Sequence, residues 1–359
     1  MALQEQGTAG EQLIIQADRL AEQVTIIQYL KQPDLVHRFG AKGRDRTKQD
    51  SMYSLSYLAE SVLLKSPALF MNYISWLKLL LRGYRVTEQD LVVNLLAIRS
   101  VLLEHFHHQD RQHVIQYLDL GIDYVAQADA PVSYVTADAP LGVEAATYLD
   151  QLLHGDRKLA YAGVVDLLEQ GISIKDIYLY IFQSVQYEVG RLWQTGEINV
   201  AQEHYCTAAT QSIMSRLYPQ WLSAHHATQA RRLVSACVGN EMHEMGIRML
   251  TDFFEMEGWD TYYLGANVPD RSLLEAIISY KADLVAISVT MTFHVHLVQQ
   301  FITTIRSSKG AAHVKIIVGG LPFNIDRELW KKVGADGYAP DADGATKLAD
   351  TLVPAAGQQ

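Results

Sequence analysis

A histidine on a loop is the residue best placed for chemistry. His243 follows the apolar run RRLVSACV, which predicts a β-strand, and it lies between Glu241 and Glu244. The loop is not G-x-G-x-x-G, so the dinucleotide-binding fingerprint is absent. A neutral imidazole is a good ligand for a late first-row metal, and a carboxylate on its other nitrogen would fix the tautomer and raise its basicity. The loop therefore presents an imidazole with acidic neighbours.

Two later strand ends carry hydroxyl groups and glycines. Ser288, Thr290 and Thr292 come at the end of the run ADLVAISV, and Gly319 and Gly320 close the run VKIIVGG. Ligands of open α/β sheets bind beyond the carboxyl ends of the strands, where glycine permits close approach of the backbone. Together with the loop histidine, these residues predict a slot for a large ligand with a metal at its mouth.

The elements that must position these residues begin at Arg231. From there to residue 353, apolar runs alternate with helical segments, which predicts a parallel, doubly wound sheet. The strands are almost continuously apolar, as expected for strands that are buried on both faces. We therefore predict a Rossmann-like, flavodoxin-like domain over residues 231–353, with helices on both faces of the sheet.

The regions before the sheet are predicted to be helical. Residues 143–228 read as a bundle of four helices, and residues 127–142, with two prolines and no helical period, read as a linker. Residues 1–130 form an N-terminal helical domain, predicted as a sensor or interaction domain. The fold class is α plus α/β. The N-terminal helices are expected at 11–31, 50–64, 67–82 and 88–118, with a polar loop at 42–50.

Composition excludes several classes of protein. The 40 acidic residues exceed the 30 basic residues, which argues against a surface built for nucleic acid or anionic lipid. Cys206 and Cys237 form no disulfide framework or metal-ligand spacing. The N-terminus lacks the pattern of a signal peptide, and no apolar run approaches the ~20 residues of a membrane span. We expect a cytoplasmic protein with no membrane partner.

The residues around His243 resemble the motif of a known fold. The pattern Glu241-x-His243-x-x-Gly246, then Ser288, then Gly319-Gly320 is similar to the D-x-H-x-x-G, S-x-L and G-G pattern of cobalamin-binding domains. The turn LGANVP at 264–269 is also similar. Glu241 replaces the usual Asp, and Thr290 stands where the pattern has Leu.

This resemblance implies a cobalamin with His243 as the lower axial ligand of its cobalt. The displaced nucleotide tail is then expected between the strands, toward Ser288 and the two glycines. The cofactor-binding residues that the resemblance implies in the sheet domain are Glu241, Met242, Gly246, Ser288, Thr290, Gly319 and Gly320.

A second motif lies in the predicted bundle. Trp193, nine residues, and then Glu203-His204 resemble the Trp-x9-Glu-His motif of CarH-type adenosylcobalamin photoreceptors. The resemblance implies that Trp193 packs over the adenosyl group and that Glu203 and His204 lie on the upper face. It implies a light sensor with no catalytic residues, in which photolysis of the Co–C bond changes conformation or assembly. His204 is then expected to bind cobalt opposite His243.

The N-terminal region separates this chain from DNA-binding members of that family. Residues 1–140 hold 13 Lys and Arg against 16 Asp and Glu, and no helix-turn-helix with a basic wing is visible, so no nucleic-acid partner is expected. A helical N-terminus on a CarH-like module resembles photocobilins, which also hold biliverdin. Because residues 1–130 contain no cysteine, a bilin there would be non-covalent.

Other interpretations and partners stay open. We expect a homo-oligomer, a dimer or tetramer that depends on light, and an unidentified signalling partner. The chief alternative is a corrinoid protein that carries methyl groups to a methyltransferase. It shares the bundle, the histidine loop and the glycines, but a methyl carrier must expose its upper face, and Trp193 with Glu203 and His204 argues against that. A light-independent cobalamin-binding scaffold is the third class.

Overall fold

The computed structural model describes residues 8–106, 111–127, 132–222 and 231–354. The chain divides into two compact units. The helical unit contains residues 1–129 together with the segments Met291–His296 and Ile325–Lys332. The bundle–sheet unit contains Ala130–Thr290, Leu297–Asn324 and Val333–Gln359. Within the described residues, no helix is long and apolar enough to cross a membrane.

Among the described residues of 1–129, five helices form most of the helical unit. They are α1 (Ala9–Lys31), α2 (Leu35–Leu63), α3 (Pro67–Gly83), α4 (Glu88–His105) and α5 (Gln112–Tyr124). Thr8 and Thr87 begin α1 and α4 with capping boxes, in which each hydroxyl accepts from the backbone three residues on. Leu13, Leu20 and Phe70 are fully buried in the shared apolar core. Burial of these side chains is what holds the helices together.

The predicted loop at 42–50 is wrong, because α2 runs through it. The break lies earlier, at Gly40, whose φ of 65° is non-helical. Lys48 forms ion pairs with Asp18 at 3.0 Å and Glu22 at 3.4 Å on α1. The stretch is polar because one face of the helix meets solvent and the acidic side of α1, not because it lacks helical structure.

The predicted helix at 88–118 is divided. Helix α4 ends at His105, because Phe106 adopts extended φ and ψ angles, and α5 begins at Gln112. The Arg111 side chain donates to the carbonyl oxygen of Leu103 at 2.5 Å and to that of Phe106 at 3.3 Å. These bonds satisfy carbonyl groups that the end of α4 leaves without a helical partner.

The later segments of the helical unit pack against α2. The ring of Phe293 lies edge-on to that of Tyr57, with centroids 5.2 Å apart. His296 Nδ1 lies 3.0 Å from an oxygen of the buried Glu60. This contact raises the pKa of His296 above its ordinary value, mainly through the hydrogen bond to Glu60.

Asp90 is the polar centre of the helical unit. It is 2% exposed, and its carboxylate accepts from Arg38 Nη2 at 2.7 Å, from Gln32 Nε2 at 2.7 Å and from the backbone N–H of Thr87 at 2.8 Å. Burial alone would raise the pKa of Asp90, but the hydrogen bonds from Arg38 and Thr87 outweigh it and lower the pKa to about 2. The folded protein therefore stabilises the ionised form of the Asp90 carboxyl group.

The bundle–sheet unit begins with four helical segments. The first two are α6 (Gly142–Leu153) and α7 (Arg157–Glu169). The third is continuous, from the short α8 (Ile174–Asp176) through a π-helical stretch (Ile177–Gln183) to α9 (Ser184–Thr195), and the fourth is α10 (Val200–Leu222). Their core includes Phe182, Val185 and Leu217, all fully buried, and Phe253 from the sheet domain. The bundle and the sheet domain therefore share apolar core.

The sheet domain confirms the predicted fold class. Its five parallel strands are β1 (Arg232–Cys237), β2 (Asp260–Tyr263), β3 (Leu284–Ser288), β4 (Lys315–Gly319) and β5 (Gly337–Tyr338), in the order β2-β1-β3-β4-β5. The helices between and after them are α11 (Met245–Met256), α12 (Asp270–Ser279), α13 (Val295–Ser307), α14 (Leu321–Ile325), α15 (Leu329–Val333) and α16 (Ala342–Leu352). This is the flavodoxin-like order, which binds ligands where the strand order reverses, between β1 and β3.

Gly320 gives the carboxyl end of β4 its close packing. Its φ of +104° lies in a region that residues with a side chain rarely adopt. A Cβ atom at this position would lie 1.8 Å from the carbonyl oxygen of Val289. The two strand ends can approach in this way only because residue 320 has no side chain.

We expect Asp90→Asn to lower the free energy of unfolding by about 2 kcal/mol at neutral pH, because the ionised carboxylate holds three donors. The stability from Asp90 is fully present above its unfolded pKa of about 4 and is lost as the pH falls toward about 2. Urea denaturation followed by circular dichroism at a series of pH values measures both effects. Asp119→Asn, at the half-exposed pair with Arg99, should cost less than about 1 kcal/mol.

Gly320→Ala should destabilise the cofactor-free protein by at least about 3 kcal/mol, because it adds a steric clash to an unfavourable φ. Thermal unfolding measures the loss. Gly246→Ala, in the first turn of α11, is the matched control, since no atom lies within 4 Å of its added Cβ. It should leave the stability within about 0.5 kcal/mol of wild type, and equal losses for the two variants would contradict the steric argument.

Candidate functional site

The site is organised around a buried carboxylate and an exposed imidazole. Glu241 is fully buried, whereas the side chain of His243 is 56% exposed. Glu241 Oε1 lies 2.5 Å from His243 Nδ1 and accepts from the His243 backbone N–H at 3.0 Å, while Oε2 accepts from the backbone N–H of Thr290 at 2.9 Å. A carboxylate only accepts, so Nδ1 carries the proton and the lone pair is left on Nε2.

The electrostatics of the site favour a strongly basic imidazole. The hydrogen bond that His243 donates to Glu241 is the main cause that raises the pKa of His243, and the charge of Glu203 adds to it. Burial raises the pKa of the nearby Cys237 thiol to about 12. Since a thiol binds metal as the thiolate, Cys237 is a poor ligand at neutral pH and His243 is the available donor.

Two of the predicted strand-end residues, Ser288 and Gly319, lie in one row with Cys237. The register of the sheet aligns Cys237 with Ser288, and Ser288 with Gly319. The row therefore runs along the carboxyl edge of β1, β3 and β4 and ends at Gly320. Met242, which is 66% exposed, precedes His243 in the loop, and the exposed Gly246 follows it in α11.

Glu244 is a structural residue to which the sequence analysis gave no role. Its Oε2 accepts from Tyr263 Oη at 2.9 Å and from the backbone N–H of Ala266 at 3.1 Å, and its Oε1 accepts from Gln211 Nε2 at 3.1 Å. It thus joins the start of α11 to the end of β2 and to the bundle. An acidic residue at the start of a predicted helix is the signal that could have identified it.

The three predicted bundle residues lie around the turn between α9 and α10. Trp193, in the last turns of α9, is half-buried and packs against the bundle core. Glu203, in the first turn of α10, accepts from Thr207 Oγ1 at 3.2 Å and pairs with His204 Nδ1. The side chain of His204 is 76% exposed. Of the three, Glu203 is the residue whose charge reaches His243.

The arrangement fits a metal that arrives with most of its own ligands. Within the part of the chain that the structure describes, no group of three or more His, Cys, Asp and Glu side chains could hold a metal ion. A single imidazole whose second nitrogen is fixed can supply one axial position to a metal in a macrocycle. At the neighbouring strand end, the missing side chain of Gly320 gives room to the carbonyl oxygen of Val289, so this glycine serves the packing of the strand ends.

Two family matches cover the bundle and the sheet domain. Residues 231–347 match the B12 binding domain family, and residues 144–218 match a second family that is also described as a B12 binding domain. The first range contains His243 and the whole sheet. The second range contains Trp193, Glu203 and His204.

Curated relatives include corrinoid proteins of Methanosarcina species. Dimethylamine corrinoid protein 3 of Methanosarcina acetivorans is 28% identical over 122 residues, which are 34% of this chain and 56% of that protein. Dimethylamine corrinoid protein 2 of the same organism is 22% identical over 167 residues, which are 46% of this chain and 76% of that protein. The chain spans about half the length of the first of these relatives.

A solved structure shows the same fold. The monomethylamine corrinoid protein of Methanosarcina barkeri aligns with a TM-score of 0.51 and 21% identity. The alignment covers 57% of this chain and 96% of that protein. The pairing of a helical bundle with a parallel sheet is therefore an arrangement that corrinoid proteins use.

The predicted function as a light sensor is wrong. The relatives are dimethylamine corrinoid proteins, and they favour the alternative of a corrinoid methyl carrier. The motif of Trp193, Glu203 and His204 misled because its residues are accounted for by the bundle itself: Trp193 packs against the bundle core, and Glu203 and His204 pair with each other at its surface.

The histidine loop and the two family matches lead to one conclusion. His243 presents an oriented imidazole on the loop after β1, and the bundle and the sheet domain each match a B12 binding domain. The chain is a cobalamin-binding protein, with B12 binding domains at residues 144–218 and 231–347.

Proposed function

We propose that the protein carries methyl groups on cobalamin as the corrinoid component of a methyltransferase system. The observation that carries the proposal is the oriented imidazole of His243, exposed on a B12 binding domain whose relatives are dimethylamine corrinoid proteins. The proposed substrate class is a methylated amine, and the proposed partner is the enzyme that removes its methyl group. Chemistry on the amine belongs to that enzyme, so this chain acts as a carrier.

His243 is proposed as the lower axial ligand of cobalt, through Nε2. Glu241 holds the proton on Nδ1 and keeps the ring in one orientation, and its negative charge raises the basicity of Nε2. The carboxylate is itself fixed by the backbone N–H groups of His243 and Thr290. The donor strength of His243 is therefore set before any cofactor arrives.

The strand-end residues are proposed to receive the nucleotide tail of the cofactor. Ser288 and Thr290 offer hydroxyl groups, and Gly319 and Gly320 offer backbone without side chains. Met242 and Gly246, both exposed on either side of His243, are proposed to lie against the lower face of the corrin.

The bundle residues are proposed to shield the opposite face. Trp193 presents an aromatic ring near the end of α9, and Glu203 and His204 lie in the first turns of α10. When bound, the cobalt of the cofactor would supply the nucleophile that takes up a methyl group and later gives it up, with His243 below it and the bundle residues above. The bundle must uncover this face for each transfer.

Three finer predictions have no support among the residues or the relatives. Adenosylcobalamin and biliverdin follow only from the resemblance to light sensors. Both stay predictions, and the proposed carrier function requires neither of them. The predicted homo-oligomer also stays a prediction. The signalling partner is replaced in this proposal by a methyltransferase.

The proposal predicts that reconstituted, reduced protein takes labelled methyl groups from dimethylamine when a dimethylamine methyltransferase is present. His243→Ala should lower the rate by about tenfold or more, because the lower ligand is lost. His154→Ala, at a histidine whose side chain is 72% exposed, is the control and should stay within about threefold of wild type. The measurement is the label that co-migrates with the protein-bound corrinoid.

The dimethylamine corrinoid protein of Methanosarcina acetivorans serves as the positive control for the methyltransferase. If that protein is labelled and wild-type protein of this chain is not, although it binds cobalamin, the carrier function is wrong. If His154→Ala loses as much activity as His243→Ala, the assignment of the lower ligand is wrong.

Glu241→Gln should weaken cobalamin binding by about tenfold. An amide can accept at only one of its two atoms, so its NH₂ group would face either Thr290 N–H or His243 as a donor against a donor. Glu275→Gln, at an exposed ion pair with Arg271, is the control and should bind like wild type. Titration of the cofactor by absorbance gives both dissociation constants, and equal values would contradict the role of Glu241.

A further inference from the structure

The turn after β2 is hydrogen-bonded to the His243 loop along its length. The backbone N–H of Cys237 donates to the carbonyl oxygen of Gly265 at 2.9 Å, and that of Val268 donates to the carbonyl oxygen of Cys237 at 3.3 Å. Beyond the strand, Asn267 N–H donates to the carbonyl oxygen of Glu241 at 2.9 Å. The turn therefore continues the sheet into the loop that carries the imidazole.

The side chain of Asn267 also reaches the loop backbone, ahead of Glu241. Its Oδ1 accepts from the backbone N–H of Asn240 at 2.7 Å. Asn267 thus binds the loop twice, through its side chain at residue 240 and through its backbone at residue 241. On the other side of His243, Glu244 binds the same turn at Ala266. The turn holds the backbone on both sides of the imidazole.

Both asparagines adopt a backbone conformation that few residues tolerate. Asn240 has a φ of 66° and Asn267 a φ of 52°, in the left-handed region. This conformation costs a non-glycine residue roughly 1–2 kcal/mol, least for Asn and Asp. Backbone of this kind persists where surrounding contacts determine it, and it concentrates at functional sites.

We propose that Asn267 is a positioning residue for the cobalt ligand, acting through the loop backbone. The inference rests on the proposed role of His243 as lower ligand. With Asn240 N–H and Glu241 C=O both held by Asn267, the Glu241 side chain starts from a fixed point and reaches His243 Nδ1 and Thr290 N–H together. Without that hold, the carboxylate and the imidazole lose their common orientation.

Three substitutions separate the requirements at position 267. Asn267→Asp keeps an acceptor oxygen and tolerance of the left-handed region, so it is the conservative variant. Asn267→Gly keeps the backbone conformation but has no side-chain acceptor. Asn267→Ala loses the acceptor and also strains the backbone. The glycine variant is thus the informative one, because it removes the hydrogen bond to Asn240 N–H without straining the backbone.

The experiment measures the cofactor-free and the cofactor-bound protein. In the cofactor-free protein, Asn267→Gly should speed hydrogen exchange at the Asn240 amide by about tenfold, as expected when a hydrogen bond worth roughly 1.4 kcal/mol is lost. With hydroxocobalamin added, it should weaken binding by about tenfold, and the absorbance spectrum should shift toward that of His243→Ala. Asn267→Asp should resemble wild type in all three measurements.

The outcomes separate this inference from the function on which it rests. If wild type and His243→Ala give the same absorbance spectrum, the ligand assignment fails and the inference fails with it. If their spectra differ but Asn267→Gly keeps wild-type affinity and the wild-type spectrum, the inference alone is overturned. Should Asn267→Gly fail to fold, Asn267→Ser is measured in its place, and wild-type binding by that variant with faster Asn240 exchange also overturns it.

Discussion

The site depends on one buried charge. Glu241 has no exposed surface, and an ionised carboxylate in such a place is stable only if donors surround it. The protein supplies them from two loops: the backbone and ring of His243, and the backbone N–H of Thr290 beyond β3. The imidazole is thus one of the groups that neutralise the carboxylate, and this ties its orientation to the packing of the domain.

The sheet provides the geometry that this charge needs. Because β1 and β3 are neighbours and parallel, the His243 loop and the segment at Thr290 leave the sheet side by side. At the same edge, Gly320 packs against the backbone of Val289. On the other side, the turn after β2 is hydrogen-bonded to the His243 loop. Strand order, glycine conformation and ligand orientation are therefore parts of one arrangement at the point where the strand order reverses.

The sequence was informative where residue type alone decides the structure. Apolar strands and the Glu241, His243 and Gly319-Gly320 pattern predicted the sheet and the cofactor class, because burial and backbone clearance depend directly on side-chain size. The prediction of a loop at 42–50 was wrong, because α2 continues through these charged residues and Lys48 pairs with Asp18 on α1. The sequence could not reveal the part of Thr290, which acts through its backbone. The bundle motif misled about function because the contacts of its residues do not identify an upper ligand: Trp193 packs against the bundle core, and Glu203 pairs with His204.

The most direct test of the account is electron paramagnetic resonance of the protein reconstituted with cob(II)alamin, prepared once with ordinary and once with ¹⁵N-labelled histidine. If His243 Nε2 lies under cobalt, the nitrogen splitting changes from a triplet to a doublet on labelling, and the spectrum of His243→Ala does not change on labelling. An unchanged splitting in the labelled protein would mean that no histidine binds the cobalt, and it would contradict the central role given to Glu241 and His243.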